Sequence, residues 1–253
     1  MSVQTRGGLI AHNRDAPNNR LDPPLPRLRL LEGFELIADG EPLDVPTSAQ
    51  RVVAFLALHD RSLLRTFVAG NLWPDASETR ALACLRSALW RLHRLGIDLV
   101  DASVDRIWLV DRLDVDHRRA EAAARTILEG RCDLSPSELT LVKLGGMLLP
   151  DWYDEWVSTE RERWLQLRLH ALERLSDLLV SAGRFAEAVD VALAAVGVEP
   201  LRESAQRALI KVYLAEGNAV NAVRQYERYR RMLVRELHVS PSGLMNELMA
   251  GVG

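Results

Sequence analysis

The chain has 253 residues, of which 48% are hydrophobic, and a formal net charge of −3 at pH 7. This length and apolar content suffice for one large domain or two ordinary ones with a substantial buried core. The charge excludes a protein that binds nucleic acid through overall basicity, so such a site would need local clustering of positive residues. With no recognisable signal peptide and no run near the ~18 apolar residues of a membrane span, we expect a cytoplasmic protein with no membrane partner.

The side chains that carry chemistry show no catalytic or metal-binding pattern. Cys84 and Cys132 lie far apart and fit neither a disulfide framework nor a CxxC site. The six histidines form no HExxH motif, and the sequence has no GxxxxGKS/T loop and no GxSxG elbow. Asp151, Asp154 and Glu155 suit the cap and first turn of a helix, where acids favour the positive end of the dipole. We therefore predict that the protein is not an enzyme and holds no cofactor and no metal.

Composition and periodicity divide the chain into three parts. Residues 1–26 are rich in Asn and Pro and predict a flexible arm. Residues 27–113 alternate like short strands at both ends and have helical periodicity between them, which predicts a small α+β domain. Residues 114–253 have helical periodicity almost throughout and predict an all-α domain. The predicted fold class is therefore mainly α, with small sheets in the N-terminal domain.

The sequence pattern of the N-terminal domain predicts short strands followed by three helices. Residues 27–31 and 34–38 alternate in polarity, and Asp39 with Gly40 gives the turn of a hairpin that residues 41–46 complete. The predicted helices span 48–59 with Ser48 as the N-cap, 65–72, and 77–94 before Gly96.

The segment 77–94 combines an apolar face with a basic face. One buried stripe is predicted from the helical spacing of Leu82, Leu85, Leu89 and Leu92. At about 100° per residue, the opposite face collects Arg80, Ser87, Arg91 and Arg94, with Arg86 and Trp90 along one flank. The fork of donors on an arginine matches the paired acceptors of guanine edges and phosphates. We therefore predict that Arg80, Ser87, Arg91 and Arg94 face DNA and that Arg86 and Trp90 contact it from the margin.

Several of these residues also have a plain structural interpretation. An arginine face on a helix is commonly only solvated, and Trp90 fits a partly buried packing role as well as a contact with DNA. Trp73 and Trp108 are interpreted as core residues. Arg65, at the start of the second helix, fits a phosphate contact and a structural role equally well.

A second hairpin is predicted from residues 98–102 and 106–110, and its turn lacks the glycine typical of tight turns. The order of sheet, three helices and hairpin resembles the winged helix-turn-helix domain of OmpR/PhoB-type response regulators. That resemblance implies that the third helix enters the major groove of DNA and that the hairpin, or wing, touches the adjacent backbone or minor groove. Arg106 is a further DNA-binding candidate in the wing.

An internal repeat marks the second domain. LVSAGRFAEAV at 179–189 matches YLAEGNAVNAV at 213–223 with an offset of 34 residues, the period of the tetratricopeptide repeat. Helix pairs joined at a glycine bury their apolar faces only by stacking on one another. Residues 114–253 therefore predict a tetratricopeptide-like solenoid. Such a solenoid either offers a surface to a protein partner or has only a structural or dimerising role. Its predicted helices span 116–129, 136–144, 152–182, 184–196, 201–216, 219–237 and 241–250.

Motifs of the second domain are similar to a known bacterial domain. They are LPDWY at 149–153, GRFAEA at 183–188, PLRES at 200–204, YER at 226–228 and RELHVSP at 235–241. Together they resemble the bacterial transcriptional activator domain (BTAD). With the winged helix before it, the chain resembles the Streptomyces antibiotic regulatory protein (SARP) family over about residues 27–250.

The SARP resemblance implies a function and partners. It implies sequence-specific binding to double-stranded promoter DNA, usually at direct repeats, with two protomers side by side as a homodimer on tandem sites. It also implies contact with RNA polymerase holoenzyme and its sigma factor, hence activation, typically of secondary-metabolite genes, and a place with the nucleoid. Larger relatives add an ATPase region that this sequence lacks, so we expect a small stand-alone member.

Two main functions from different classes stay open at this stage, besides a third in which the protein is a repressor that senses a ligand in the helical groove. A transcriptional activator is favoured because Arg80, Arg91 and Arg94 occupy positions at which a protein-docking surface would tolerate acids. A protein-interaction scaffold, in which the winged helix docks a partner instead of DNA, is favoured by the near-neutral charge of residues 27–113, with 11 arginines and 12 acidic residues. A steep loss of affinity with salt would indicate phosphate contacts and so discriminate the two.

Overall fold

The structure is a computed structural model that describes residues 25–135 and 145–252. The predicted arm at 1–26, apart from its last two residues, and the predicted helix at 136–144 lie outside the described residues. The described chain has short strands and three helices followed by longer helices, so the predicted mainly α fold with small N-terminal sheets is confirmed.

A four-stranded sheet opens the fold. It is formed, in the order β3-β2-β1-β7, by β1 (Arg27–Arg29), β2 (Glu35–Ala38), β3 (Glu41–Pro42) and β7 (Asp114–Val115). The first three strands are antiparallel neighbours, whereas β7 runs parallel to β1. Between β2 and β3, Asp39 and Gly40 have φ values of 53° and 85°, as a type I′ turn requires, so the predicted hairpin is confirmed.

Three helices and a second sheet complete the N-terminal domain. The helices are α1 (Thr47–Ala57), α2 (Arg65–Leu72) and α3 (Glu78–His93). The antiparallel sheet has the order β4-β6-β5 and is formed by β4 (Leu63–Leu64), β5 (Val100–Ala102) and β6 (Arg106–Leu109). The hairpin of β5 and β6 is the wing, and the whole is the predicted winged helix.

The start of α1 differs from the prediction. Pro46 holds the N-cap position and α1 begins at Thr47, so Ser48 lies in the first turn and is not the cap. The carbonyl of Pro46 accepts the N–H groups of Ala49 and Gln50 at 2.8 and 3.0 Å. Proline suits this position because its fixed φ leads into the helix.

The buried stripe of α3 also differs from the predicted leucine stripe. Its fully buried positions are Ala81, Leu85, Ala88 and Leu92, whereas Leu82 and Leu89 are only half-buried. Alanine side chains are short, so α3 packs closely on α1 and α2 through them, and the two leucines flank the contact.

The remaining described helices form a stack. They are α4 (Asp116–Leu128), α5 (Glu155–Ser181), α6 (Phe185–Val198), α7 (Glu203–Ala215), α8 (Ala219–Leu237) and α9 (Gly243–Ala250). From α5 to α8 each helix packs on the next, and α9 packs on α7. The bounds of α8 agree with the prediction residue for residue.

The internal repeat is confirmed in the backbone hydrogen bonds. In the first unit the N–H groups of Gly183 and Arg184 donate to the carbonyls of Val180 and Leu179, both at 2.9 Å. The second unit repeats this pattern 34 residues later, at 3.0 and 2.8 Å. Gly183 and Gly217 have φ values of 71° and 84°, which L side chains rarely adopt, so glycine is required at both turns.

The two domains share one continuous core that extends from Leu28 of β1 to Val212 of α7. The carboxylate of Asp116, at the start of α4, accepts the backbone N–H groups of Leu30 and Leu31 at 2.8 and 3.2 Å. The winged helix is thereby fixed against the first helix of the stack.

Candidate nucleic-acid interface

Helix α3 presents a basic surface on the side away from the core. All six predicted DNA-binding residues of this helix are exposed: Arg80, Arg86, Ser87, Trp90, Arg91 and Arg94. Within the described part of the chain, none of these four arginines has an acidic partner within ion-pair distance. Unpaired positive charge on one exposed face attracts a polyanion. We call these six residues the α3 face.

Local contacts orient the side chains of the α3 face. Arg91 Nη1 donates to the hydroxyl of Ser48 on α1 at 2.8 Å. The guanidinium carbon of Arg94 lies 5.0 Å from the centre of the Trp90 ring, within the range of a cation–π contact. Both arginines are therefore partly ordered before any ligand binds, which lowers the entropic cost of binding.

Arg65 lies at the base of the wing and not on the α3 face. Its Nη2 donates to the carbonyl of Ser103 at 3.3 Å, and its backbone N–H donates to the carbonyl of Asp105 at 2.8 Å. A cleft of about 320 Å³ runs between α3 and the wing, and its polar lining consists of Arg65, Arg86, His93 and one acid, Asp98. A phosphate in this cleft would meet positive side chains from both sides.

The wing turns without a glycine. The N–H of Ser103 donates to the carbonyl of Arg106 at 2.9 Å, and the N–H of Arg106 donates back to the Ser103 hydroxyl at 3.2 Å. Neither Val104 nor Asp105 has a positive φ, so the turn needs no glycine. The guanidinium of Arg106 donates to the carbonyl of Ser62 at 3.1 Å, which ties the wing to the segment before β4.

The structure thus brings six predicted residues together on α3 and holds Arg65 and Arg106 apart in the frame of the wing. Sequence reasoning missed Ser48 and His93 as neighbours of this surface. His93 lies two turns after Arg86 on the same helix, so helical spacing alone would have found it. Nothing in the sequence pattern links Ser48 to Arg91, since their contact depends on how α1 and α3 cross.

The positions of three tryptophans refine their interpretation. Trp90 is 58% exposed and lies on the surface, where its ring contacts the guanidinium of Arg94. Trp73 and Trp108 are half-buried and not fully inside the core, although Trp73 packs against its edge. Trp73 also faces the guanidinium of Arg51 at 6.0 Å.

Arg51 also joins the two domains beside the α3 face. It forms an ion pair with Asp154, which holds the N-cap position of α5. The predicted position of Asp154 at the start of the helix is confirmed. Its side chain makes no capping hydrogen bond, so it is not a cap in the bonding sense. A cleft of about 930 Å³ opens here, lined by residues that include Arg51, Arg80 and Asp154.

Residues 25–135 and 145–252 lack the features of two other kinds of site. No group of three or more His, Cys, Asp or Glu side chains is arranged to hold a metal ion. No helix in this part of the chain is long and apolar enough to cross a membrane. Cys84 and Cys132 are free and half-buried.

The fold and the surface define a class of protein with a winged helix, an exposed basic third helix and a tetratricopeptide-like stack. Residues 113–252 match the family model described as the bacterial transcriptional activator domain. The match covers more than half of the chain, which therefore belongs to this family of bacterial proteins.

Known relatives place the chain more narrowly. Regulatory protein AfsR of Streptomyces griseus is 28% identical over 236 residues, covering 87% of this chain and 23% of that protein. AfsR of Streptomyces coelicolor is 28% identical over 233 residues, covering 83% and 22%. The chain therefore spans less than a quarter of the length of these relatives. With the family match, they confirm the resemblance to SARP regulators.

A solved structure shares the fold. Mycobacterium tuberculosis EmbR aligns with a TM-score of 0.72 and 21% sequence identity, covering 90% of this chain and 65% of that chain. At this identity the likeness shows the architecture alone.

Proposed function

We propose that this chain is a sequence-specific DNA-binding transcriptional activator of the SARP type. The observation that carries the proposal is the α3 face, where four arginines are exposed without acidic partners in the described chain. In a winged helix this surface enters the major groove. Arg80, Arg91 and Arg94 then read base edges or bind phosphates, and Ser87 is small enough to let the helix approach closely.

The wing supplies a second contact to the same duplex. Its exposed side chains include Asp101 and Asp105, so a backbone amide or the cleft with Arg65 and Arg86 makes the phosphate contact. Arg106 acts by supporting the wing, because its guanidinium is engaged with Ser62.

Each of the two proposed domains binds a different partner. Residues 27–113 bind double-stranded promoter DNA, usually as two protomers on direct repeats, and residues 114–253 contact RNA polymerase holoenzyme through its sigma factor. Activation then comes from recruitment, since simultaneous binding of both raises the local concentration of polymerase at the promoter. The protein works with the nucleoid in the cytoplasm and needs no cofactor or catalytic step.

Genome-wide pull-down in the host tests the proposal. The wild-type chain is compared with the Arg91→Ala/Arg94→Ala variant and with a control, Arg125→Ala/Arg163→Ala, which removes two exposed arginines from α4 and α5. We expect sharp peaks upstream of a few genes that vanish only in the α3 variant. Peaks that persist in that variant, or no peaks for the wild type, would contradict the proposal.

A protein-interaction scaffold is the second candidate, favoured by the acids on the wing and the near-neutral charge of residues 27–113. Binding to an enriched DNA site at increasing salt separates the two. Phosphate contacts predict a slope of log K against log salt of about −0.9 per contact. A docked protein held by apolar contacts predicts a shallow slope.

A further inference from the structure

Helix α8 carries a second row of arginines, in the other domain. The row is spaced by four, three and four residues, which places its members on one side of the helix: Arg224, Arg228, Arg231 and Arg235. All four are exposed, and at 1.5 Å per residue the row is about 16 Å long. The opposite side of α8 is buried against α7 and α9 through Ala222, Gln225, Tyr229 and Leu233.

Most of this positive charge is not neutralised. Within the described chain, Arg224, Arg228 and Arg231 have no acidic partner within ion-pair distance. Arg235 pairs with its neighbour Glu236 at 2.7 Å. The row is a local excess, because residues 114–253 carry 21 acidic and 18 basic residues overall.

Apolar side chains lie beside the arginine row, with the ion pair of Glu227 and Arg230 between them. Val220, Val223 and Val234 are 61%, 43% and 51% exposed. At about 100° per residue they lie on the flank next to the arginines and away from the buried side of α8. We call the arginines and these valines together the α8 face.

We propose that the α8 face docks an acidic amphipathic helix of a protein partner. Such a helix places carboxylates at i, i+4, i+7 and i+11 opposite the arginine row, where arginine–carboxylate pairs can be bidentate. Its apolar stripe covers the valines and removes them from water. The inference deepens the proposed function, since it names the kind of partner the stack takes, and it rests on that function for its biological use only.

The valines favour a protein over a nucleic acid. A duplex offers phosphates to the arginines but no apolar surface to the three valines. The fold also separates the two basic surfaces: α8 packs on α7, whereas the winged helix meets the stack through α4 and α5. The α8 face is therefore open to a partner while the α3 face is on DNA.

Peptide titration against the full chain tests the inference. The probe is a fluorescein-labelled peptide of about 16 residues, with Glu at the four stated positions and Leu along the adjacent stripe. A second peptide replaces each Glu by Lys, and a random-sequence duplex serves as the nucleic-acid probe. The variant is Arg224→Ala/Arg228→Ala/Arg231→Ala, and the matched control Arg125→Ala/Arg131→Ala/Arg163→Ala makes the same change in net charge outside α8.

We expect the Glu peptide to bind and the Lys peptide not to bind. The α8 variant should lose about tenfold or more in affinity, from three exposed charge pairs, while the control stays within about twofold of wild type. Circular dichroism verifies that both variants remain helical, as alanine favours.

Several outcomes would overturn the inference. They are no binding of the Glu peptide, equal losses in the variant and the control, and a duplex that binds more tightly than the peptide and is lost in the variant. A wild-type dimer that the variant dissociates would also overturn it, because the face would then bind a second copy. Operator binding is measured on the same samples: its absence in every form contradicts the proposed function and leaves the peptide result standing.

Discussion

Helix α3 and its C-cap expose four arginines and helix α8 exposes five, yet their surroundings give the two helices different surfaces. On α3, Arg91 and Arg94 are oriented by Ser48 and Trp90, and the wing lies beside the helix to form a groove. On α8 the arginines lie beside exposed valines on a convex helix. The comparison teaches that the count of positive residues does not specify the partner. The neighbouring side chains and elements specify the partner. A groove beside arginines fits a DNA duplex, whereas a stripe of arginines and valines fits an amphipathic helix.

The largest expected effect is a loss of stability when the residue that supports the α8 face from beneath is truncated. Tyr229 is buried beneath the α8 face and anchors a small core of its own with Ile210 and Met245. Tyr229→Ala should lower the free energy of unfolding by about 3–5 kcal/mol, as for other large aromatic deletions. Urea unfolding followed by circular dichroism measures this.

The control for this first prediction is Tyr229→Phe, which removes only the hydroxyl and its 3.3 Å bond to the Leu201 carbonyl. It should cost about 1 kcal/mol. Burial, together with Glu203, raises the pKa of Tyr229 to about 12, so the wild-type phenol stays neutral in the assay. An alanine variant as stable as wild type would contradict the anchoring role.

The second prediction concerns DNA affinity. Arg91→Ala/Arg94→Ala should weaken binding to the enriched site by about 2 kcal/mol or more, roughly 30-fold, because each specific arginine contact contributes about 1–3 kcal/mol. Both side chains are exposed, so the unfolding free energy should stay nearly unchanged. A gel-shift titration measures the affinity, and the triple variant of the α8 face should bind like wild type. Equal losses of DNA affinity in both variants would contradict the assignment of DNA binding to the α3 face and not to the α8 face.

The third prediction addresses the joint between the domains. Arg51 and Asp154 form an ion pair whose side chains are about three-quarters buried. Asp154→Asn should lower the free energy of unfolding by about 1 kcal/mol, the upper range for exposed pairs. Glu121→Gln, which breaks the more exposed pair with Arg125 on α4, should cost less than ~0.5 kcal/mol. Thermal unfolding of the two variants gives the comparison, and the reverse ranking would show that the joint does not depend on this pair.

The last prediction is a pH dependence at the contact between α4 and α5. His117 of α4 is 7% exposed, packs edge-on against Trp164, and has no hydrogen-bond partner for either ring nitrogen in the described structure. Burial lowers the pKa of His117, and the nearby carboxylates of Glu121 and Asp116 oppose this only in part. The unfolded chain therefore binds a proton at His117 more readily than the folded chain does.

The sign of the effect follows from that difference. Stability from a neutral His117 is present above its unfolded pKa, near 6.5, and is lost as the pH falls below that value. The loss is at most about 1.4 kcal/mol per pH unit. His117→Phe should flatten the dependence of the unfolding free energy between about pH 7 and pH 5, whereas the exposed His93→Gln should not. An unchanged slope in the phenylalanine variant would rule out His117 as its source.

Much of the fold could be predicted from the sequence because its long helices are defined locally. The periodicity of α5 to α8 and the two turn glycines fixed helix bounds to within three residues. The strands β4 and β7 were missed since each has two residues and takes its partner from a distant segment. For the candidate site, helical spacing predicted which side chains share the α3 face. It could not predict the bond from Arg91 to Ser48 or the anchoring of Arg106, which depend on tertiary packing.

The parallel pairing of β7 with β1 affects how the molecule can be divided or recombined. The strand that completes the N-terminal sheet comes after the wing, at Asp114–Val115, and Asp116 directly behind it holds the backbone of Leu30 and Leu31. A fragment cut at residue 113 would leave β1 with an unpaired edge and two uncapped amides. Chimaeras that exchange DNA-reading halves between relatives should therefore take both strands from one parent and place the crossover beyond α4.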